Sequence, residues 1–234
     1  MIVARAIVTD IEGTTSAISF VRDVLFPYAD TRLDAYVAAH RDEPVVAGAL
    51  REAAIVSGEP EADDARVLAH LHAWIAEDRK ATPLKTLQGL MWDEGYARGE
   101  LLGHVYPDVP PVLHGWHAAG IELYVYSSGS IVAQKVLFAH TFVGDLTPLF
   151  AGYFDTTVGA KREAASYRAI AAQTGFRPAE MVFLSDVEEE LDAARAAGLQ
   201  TVRLLRPADT PPGATTVHPS YVGFAELAAD VAAA

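Results

Sequence analysis

Two carboxylates separated by one residue follow the first apolar run of the chain. Asp10 and Glu12 lie in the hexapeptide DIEGTT, directly after the strand-like run from Ile2 to Val8. In an extended strand these two side chains point to the same side, and Gly13 allows a sharp turn beside a ligand. One carboxylate at such a strand end can attack an electrophile while the other handles a proton. A D-x-E segment alone is more often a solvated turn, so the downstream motifs decide between the two interpretations.

A serine-rich segment, Ser127-Ser128-Gly129-Ser130, follows the apolar run Ile121–Tyr126. Hydroxyls and free backbone N–H groups at a strand-to-helix turn form an anion site, because the helix N-terminus adds partial positive charge. Ser127 and Ser128 are therefore candidates to hold a phosphate. The alternative is that Ser128 or Ser130 simply caps the following helix.

A lysine and a third acidic strand end complete the set. Lys161 precedes a helix-like segment, where the dipole disfavours a cation, and it is a candidate to pair with Asp10 and with phosphate oxygens. Asp186 follows the strand-like run Met181–Leu184, in the same relation to its strand as Asp10. Carboxylate oxygens on neighbouring strand ends suit Mg²⁺. Glu190, one helical turn further on, is a candidate to orient a water on that metal.

The elements that must position these residues alternate between strands and helices. Together with a fourth run, Thr201–Leu205, the apolar runs predict an α/β fold with a doubly wound parallel sheet. From about Phe20 to Leu102 the pattern is helical instead, which indicates an inserted α-helical cap. We expect a catalytic core formed by residues 1–18 and 104–234, with the cap at 19–103. The alanine-rich C-terminal tail is expected to fray.

All four motifs occur in one order, and at this point the chain resembles the haloacid dehalogenase superfamily of aspartyl-phosphate phosphatases. Within it, the chain is similar to the enolase-phosphatases of methionine salvage, also called acireductone synthases. The segments that carry this closer resemblance span nearly the whole chain, and Glu12 is the discriminating residue: DIEGTT, ISFVRDVLFPY, LQGLMW, VYSSGS, FDTTVGAKREAASY and FLSDVEEELDAA.

The resemblance implies a role for each site residue. Asp10 is the nucleophile and a metal ligand, Glu12 is the acid/base with its carbonyl on the metal, and Asp186 completes the site for one Mg²⁺ per subunit. Ser127 and Ser128 match the phosphate-binding motif, and Lys161 matches the charge-stabilising lysine. In the expected cap, Lys85 and Gln88 are candidates to reach a substrate, whereas Met91 and Trp92 fit packing better. The complete expected site comprises Asp10, Glu12, Ser127, Ser128, Lys161 and Asp186.

The charge balance limits the partners. The chain has 31 acidic and 18 basic residues, a formal net charge of −13, which opposes nucleic acid and anionic membranes. A phosphorylated substrate would also be repelled unless a metal or lysine attracts it locally. The chain has neither a membrane-length apolar stretch nor an export signal, so we expect a soluble, cytoplasmic monomer with a small-molecule substrate.

The resemblance implies the substrate 5-(methylsulfanyl)-2,3-dioxopentyl phosphate. Enolisation and phosphoryl transfer through an aspartyl phosphate would give the acireductone 1,2-dihydroxy-5-(methylsulfanyl)pent-1-en-3-one and phosphate. The residues alone support only a phosphomonoesterase, so a phosphatase of another small phosphate ester is the alternative. A receiver-like signalling domain phosphorylated on Asp10 is a third hypothesis, against which the insertion and Glu12 argue, since a switch needs neither a cap nor a leaving-group acid.

Overall fold

A computed structural model describes residues 1–207, 209 and 216–234. The chain forms two compact units. The first, here called the core unit, comprises Met1–Ser19 and Leu102–Ala234. The second, the helical unit, is the segment Phe20–Leu101 that interrupts it, against 19–103 expected from the sequence.

Among the described residues, the core unit has a parallel sheet of six strands: β2 (Ala6–Thr9), β3 (Glu122–Tyr126), β4 (Phe150–Phe154), β5 (Met181–Ser185), β6 (Gln200–Leu204) and β7 (Ser220–Tyr221). Their spatial order is β4-β3-β2-β5-β6-β7. These β-branched and aromatic strands are followed by helices, and this alternation confirms the doubly wound α/β fold expected from the sequence. The helices are α6 (Val109–Ala118), α7 (Ile131–Ala139), α8 (Ala164–Thr174), α9 (Glu188–Ala196) and α10 (Phe224–Ala228).

Helices α8 and α9 cover one face of this sheet. Alternate residues of the strands, such as Val8 and Phe183, pack there with Ile170 of α8 and Leu191 of α9 in one buried apolar cluster. This period-two pattern leaves the intervening strand residues for the opposite face. The cluster fixes the strand ends from which the polar motifs emerge.

The first apolar run is two strands, not one. Arg5 separates β1 (Ile2–Ala4) from β2. Its backbone N–H donates to the Glu180 carbonyl, and its carbonyl accepts from the Glu122 N–H of β3. Strand β1 pairs in parallel with β8 (Val231–Ala233) in a separate two-stranded sheet. The prediction that the alanine-rich tail frays was therefore wrong, because its backbone is held by this pairing.

The helical unit has four long helices, α2 (Phe26–His40), α3 (Pro44–Val56), α4 (Asp64–Ala76) and α5 (Thr82–Ala97). A short α1 (Ile18–Phe20) and a π-helical turn (Val21–Leu25) lead into α2. Prolines at the start of α3 and α5 follow N-cap residues with extended backbone, so they occupy first-turn positions where a missing N–H costs nothing. Leucines such as Leu33, Leu50, Leu71 and Leu87 fill a core of its own. No helix in the described part of the chain is long and apolar enough to cross a membrane.

Candidate active site

The polar motifs lie at the carboxyl ends of three adjacent strands. Asp10 follows β2, Ser127 follows β3 and Asp186 follows β5. The strand register makes Thr9 level with both Val125 and Leu184, so all three chains leave the sheet at nearly the same height. Parallel strands expose their carboxyl ends at one edge, which is where α/β sheets bind ligands.

Asp10, Lys161 and Glu190 form a buried chain of charges at this edge. The Lys161 ammonium lies 2.6 Å from Asp10 Oδ1 and 2.7 Å from Glu190 Oε2, and the three side chains are only 6–11% exposed. Burial alone lowers the pKa of Lys161, but the two carboxylates outweigh it and raise that pKa, so the lysine stays protonated. The predicted pairing of Lys161 with Asp10 is present in the structure.

Glu190 contacts Lys161 and Ser185. It lies near the start of α9, accepts a hydrogen bond of 3.0 Å from Ser185 Oγ, and pairs with Lys161. Burial and the charge of Asp10 raise its pKa, against the opposing effect of Lys161. Both contacts are made by Oε2, and the expectation that Glu190 orients a metal water stays a prediction.

A tight turn follows Asp10. The N–H groups of Thr14, Thr15 and Ser16 all donate to the carbonyl of Ile11, and the Thr15 hydroxyl donates to the Asp10 carbonyl at 3.2 Å. The half-buried Glu12 forms an isolated backbone β-bridge with Ser16 within this turn. Gly13 adopts φ +74°, a left-handed conformation that glycine adopts most readily. The turn therefore holds Asp10 and Glu12 beside each other in a fixed backbone.

Asp186 has a buried oxygen that needs a partner. Burial and the nearby charge of Asp10 raise the pKa of Asp186 to about 7. Its Oδ1 is fully buried and accepts no hydrogen bond from any residue the structure describes. A cation next to Asp10 and Asp186 would satisfy this oxygen and relieve the repulsion between the two carboxylates. Because the donors are hard oxygens, the residues fit Mg²⁺.

The three serines of the motif after β3 differ in their contacts and exposure. Ser130 Oγ accepts from the N–H of Ala133 and caps α7, as the alternative interpretation expects. Ser127 is buried and its Oγ accepts from the Gly129 N–H at 3.2 Å, whereas Ser128 is exposed beside it. Ser127 and Ser128 thus remain available at the strand end.

Sequence reasoning missed Gln134, which fixes this serine loop from inside. Its Nε2 donates to the carbonyls of Gly129 at 2.7 Å and Phe154 at 2.9 Å, so it ties the loop after β3 to the end of β4. The signal in the sequence is weak: Gln134 and Lys135 are the two polar residues of a mostly apolar segment that follows the motif. Strand β4 itself also escaped prediction, because Gly152 interrupts a half-buried segment without a continuous apolar run.

Two of the four residues of the helical unit considered for substrate contact or packing are buried. Met91 is 1% and Gln88 5% exposed, whereas Trp92 is half-buried and its Nε1 donates to the carbonyl of Leu25 at 2.9 Å. Packing of Met91 and Trp92 agrees with the prediction from helical spacing. Gln88 is buried and Lys85 is exposed, and contact of either side chain with a substrate stays a prediction.

Comparison with known proteins agrees with this geometry. The family model for haloacid dehalogenase-like hydrolases matches residues 4–198. The chain belongs to this family. It is 56% identical over 223 residues to enolase-phosphatase E1 of Pseudomonas aeruginosa (strain UCBPP-PA14), covering 95% of this chain and 97% of that protein. The identity is 58% over 223 residues to enolase-phosphatase E1 of Azotobacter vinelandii, covering 95% and 96%.

A solved structure extends the comparison to the fold. The chain resembles the crystal structure of the UTR4 protein of Saccharomyces cerevisiae with a TM-score of 0.78 and 33% identity, covering 94% of this chain and 98% of that one. The resemblance to the superfamily and to its enolase-phosphatases, first based on the motifs, is therefore confirmed.

Proposed function

We propose that this protein is the enolase-phosphatase of methionine salvage. It converts 5-(methylsulfanyl)-2,3-dioxopentyl phosphate to 1,2-dihydroxy-5-(methylsulfanyl)pent-1-en-3-one and phosphate. The observation that carries the proposal is the buried Lys161 ammonium within 2.6 Å of the strand-end carboxylate Asp10. The relatives named enolase-phosphatase E1, at 55–58% identity over most of the chain, support the substrate.

Asp10 is the nucleophile in this proposal. One of its carboxylate oxygens attacks phosphorus, a new O–P bond forms, and the bond from phosphorus to the substrate oxygen breaks. Lys161 donates to the phosphoryl oxygens and neutralises charge that develops during the transfer. Ser127 and Ser128 hold the same phosphate from the neighbouring strand end.

Glu12 moves the protons. As an acid it protonates the departing enolate oxygen, and as a base it then takes a proton from the water that hydrolyses the aspartyl phosphate. We assign the removal of the substrate's carbon-bound proton during enolisation to the same carboxylate, because one group then serves both steps. Its place in the turn beside Asp10 supports these roles.

Mg²⁺ would be held by Asp10, by the backbone carbonyl of Glu12 and by Asp186, one ion per subunit. When bound, it supplies positive charge that stabilises the substrate phosphate and the enolate. The buried Oδ1 of Asp186, which has no hydrogen-bond partner among the described residues, supports this assignment.

The helical unit leaves the core unit directly after the Asp10 turn, and this insertion point supports its role as the cap that excludes water and selects the substrate. The remaining assignments are a cytoplasmic location, a monomeric state and a small phosphorylated diketone as the partner.

The decisive experiment supplies the diketone phosphate with and without Mg²⁺. Phosphate release and the ultraviolet absorbance of the enol are followed separately, with simple phosphate esters as comparison substrates. We expect both signals from the diketone phosphate, and their loss on chelation. Faster turnover of another ester would identify a phosphatase of that substrate, and a long-lived phosphoryl-Asp10 without turnover would identify a signalling domain.

A further inference from the structure

The segment that carries Lys161 lies outside any helix or strand, yet three consecutive carbonyls in it are bound by side-chain hydroxyls. The hydrogen bonds run from Tyr126 Oη to the Gly159 carbonyl at 3.0 Å, from Ser166 Oγ to the Ala160 carbonyl at 2.7 Å, and from Tyr167 Oη to the Lys161 carbonyl at 2.6 Å. These hydroxyls, here called the hydroxyl clamp, belong to residues that are at most 1% exposed. The Ala160 carbonyl also accepts from the Glu163 N–H at 3.0 Å, so a side chain and the backbone hold that position together.

The clamp residues are themselves fixed by regular structure. Tyr126 ends β3, and Ser166 and Tyr167 lie in the first turn of α8. The rings of Tyr126 and Tyr167 pack edge to face at 5.5 Å, and Tyr167 packs against Phe183 of β5 at 4.9 Å. The position of the lysine loop is therefore set by two strands and a helix rather than by the loop itself.

Gly159 makes this close approach possible. It has φ +139°, and a Cβ atom there would lie 2.2 Å from Ser166 Oγ. A larger residue would push the loop away from the clamp. The sequence pattern of a glycine two residues before the lysine thus has a steric reason in this fold.

Lysine has a long, flexible side chain, so its ammonium is held accurately only if its backbone is held. A misplacement of about 1 Å at a reacting centre is enough to cost about 100-fold in rate. We propose that Tyr126, Ser166 and Tyr167 are positioning residues that act through the carbonyls of Gly159–Lys161 to hold the Lys161 ammonium against Asp10. This inference rests on the proposed role of Lys161 in phosphoryl transfer.

The first test reads the lysine position without any turnover. Crystal structures of the wild type and of the Tyr126→Phe/Tyr167→Phe variant compare the separation of Lys161 Nζ and Asp10 Oδ1. We expect the separation to grow by about 1 Å or more, or the loop density to be lost, while the sheet stays in place. An unchanged lysine position in a variant lacking both hydroxyls overturns the proposal.

The second test is kinetic. Tyr126→Phe, Ser166→Ala and Tyr167→Phe should each lower kcat for phosphate release by about 3- to 10-fold, the range of one lost hydrogen bond, with little change in KM. Tyr153→Phe is the matched control, because that hydroxyl is also buried but has no hydrogen-bond partner among the described residues. We expect its kcat to stay at the wild-type value.

The Lys161→Met background separates positioning from general stabilisation. If the clamp acts through the lysine, Tyr167→Phe should lower the residual rate by less than about twofold in that background, because the two substitutions share one pathway. A loss as large as in the wild type means that the hydroxyl acts elsewhere, and it refutes the proposal. Should the double tyrosine variant not fold, the single variants supply both the crystal structures and the kinetics.

Failure of the proposed function is recognised separately. If the wild type does not convert the diketone phosphate but hydrolyses p-nitrophenyl phosphate, the substrate assignment fails and the same variants are compared with that ester. If the wild type hydrolyses neither, the proposed phosphatase fails, and the lysine position in the crystal structures alone decides the clamp.

Discussion

Gly13 and Asp186 approach each other so closely that no side chain fits between them. A Cβ atom on Gly13 would lie 2.4 Å from Asp186 Oδ2, and Gly13 also has φ +74°. The turn after β2 thereby packs its backbone directly against the carboxylate at the end of β5. This contact joins the two strand ends that the proposed metal site needs.

Gly13→Ala should therefore lower kcat by at least about 100-fold, because the methyl group displaces Asp186 as well as straining the turn. Steady-state kinetics and the Mg²⁺ concentration dependence measure this effect. Gly120→Ala is the matched control, since Gly120 has φ +84° but open space around its Cβ position. Equal losses of kcat in the two variants would show that backbone strain alone, and not displacement of Asp186, is responsible.

Asp10→Asn should abolish phosphate release and leave the fold intact. An amide cannot form the acyl phosphate and is a poorer Mg²⁺ ligand than a carboxylate. Phosphate release is measured on protein whose circular dichroism matches the wild type. Near-normal turnover by a pure, folded variant would remove Asp10 from the mechanism.

Glu12→Gln keeps the shape of the side chain and removes its titratable proton. We expect enolisation and phosphate release to slow together by about 10²–10⁴-fold, because one group serves both steps. The enol absorbance and the free phosphate are followed in the same reaction. Normal enol formation with collapsed phosphate release would restrict Glu12 to the phosphatase step and place the enolising base elsewhere.

Arg206 contacts the turn that follows β2. Its Nε donates to the Thr14 carbonyl at 2.9 Å, and its Nη1 lies 2.9 Å from Asp108 Oδ2, with the arginine side chain only 5% exposed. Arg206→Met removes the guanidinium from the half-buried Asp108 carboxylate, which keeps the Phe224 N–H as a donor at 2.7 Å. The loss of these charged hydrogen bonds should lower the free energy of unfolding by about 1.5–3 kcal/mol. Urea unfolding checks this, with Arg195→Met as the control. That arginine pairs with Asp192 at the surface, so its loss should cost less than about 1 kcal/mol.

His72 makes the stability of the helical unit depend on pH. Its ring lies 2.6 Å from Asp30 and 3.0 Å from Asp34. Burial lowers the pKa of His72, but hydrogen bonds and charges from the two aspartates outweigh it, so the folded pKa is raised. The stabilisation that the protonated His72 gives the folded state is complete below the unfolded pKa of about 6.5. It is lost as the pH rises through the raised pKa of the folded state.

The difference in Tm between the wild type and His72→Gln, measured from about pH 5 to pH 9, tests this sign. It should be largest at acidic pH and shrink towards alkaline pH. A difference that is constant over the range would mean that the ring contributes packing and not charge.

The positions of Asp10, Ser127 and Asp186 at strand ends were predictable because they depend on local pattern. An apolar strand followed by a polar turn and an amphipathic helix forces the turn to the carboxyl edge of a parallel sheet, whatever the rest of the chain does. The same local rule made the helical insertion visible between the first two runs. Motif order then supplied the resemblance to the enolase-phosphatases.

Other features depend on contacts between residues far apart in the chain, and no local pattern encodes them. Glu190 pairs with Lys161 only because α9 and the lysine loop meet at Asp10. Arg206 reaches Thr14 across 192 positions, and β1 is held by the C-terminal strand rather than by the main sheet. The sequence determined which residue types stand at the strand ends. Tertiary packing decided which of them touch. A buried charge or carbonyl needs a partner, and the fold determines which residues lie close enough to be that partner.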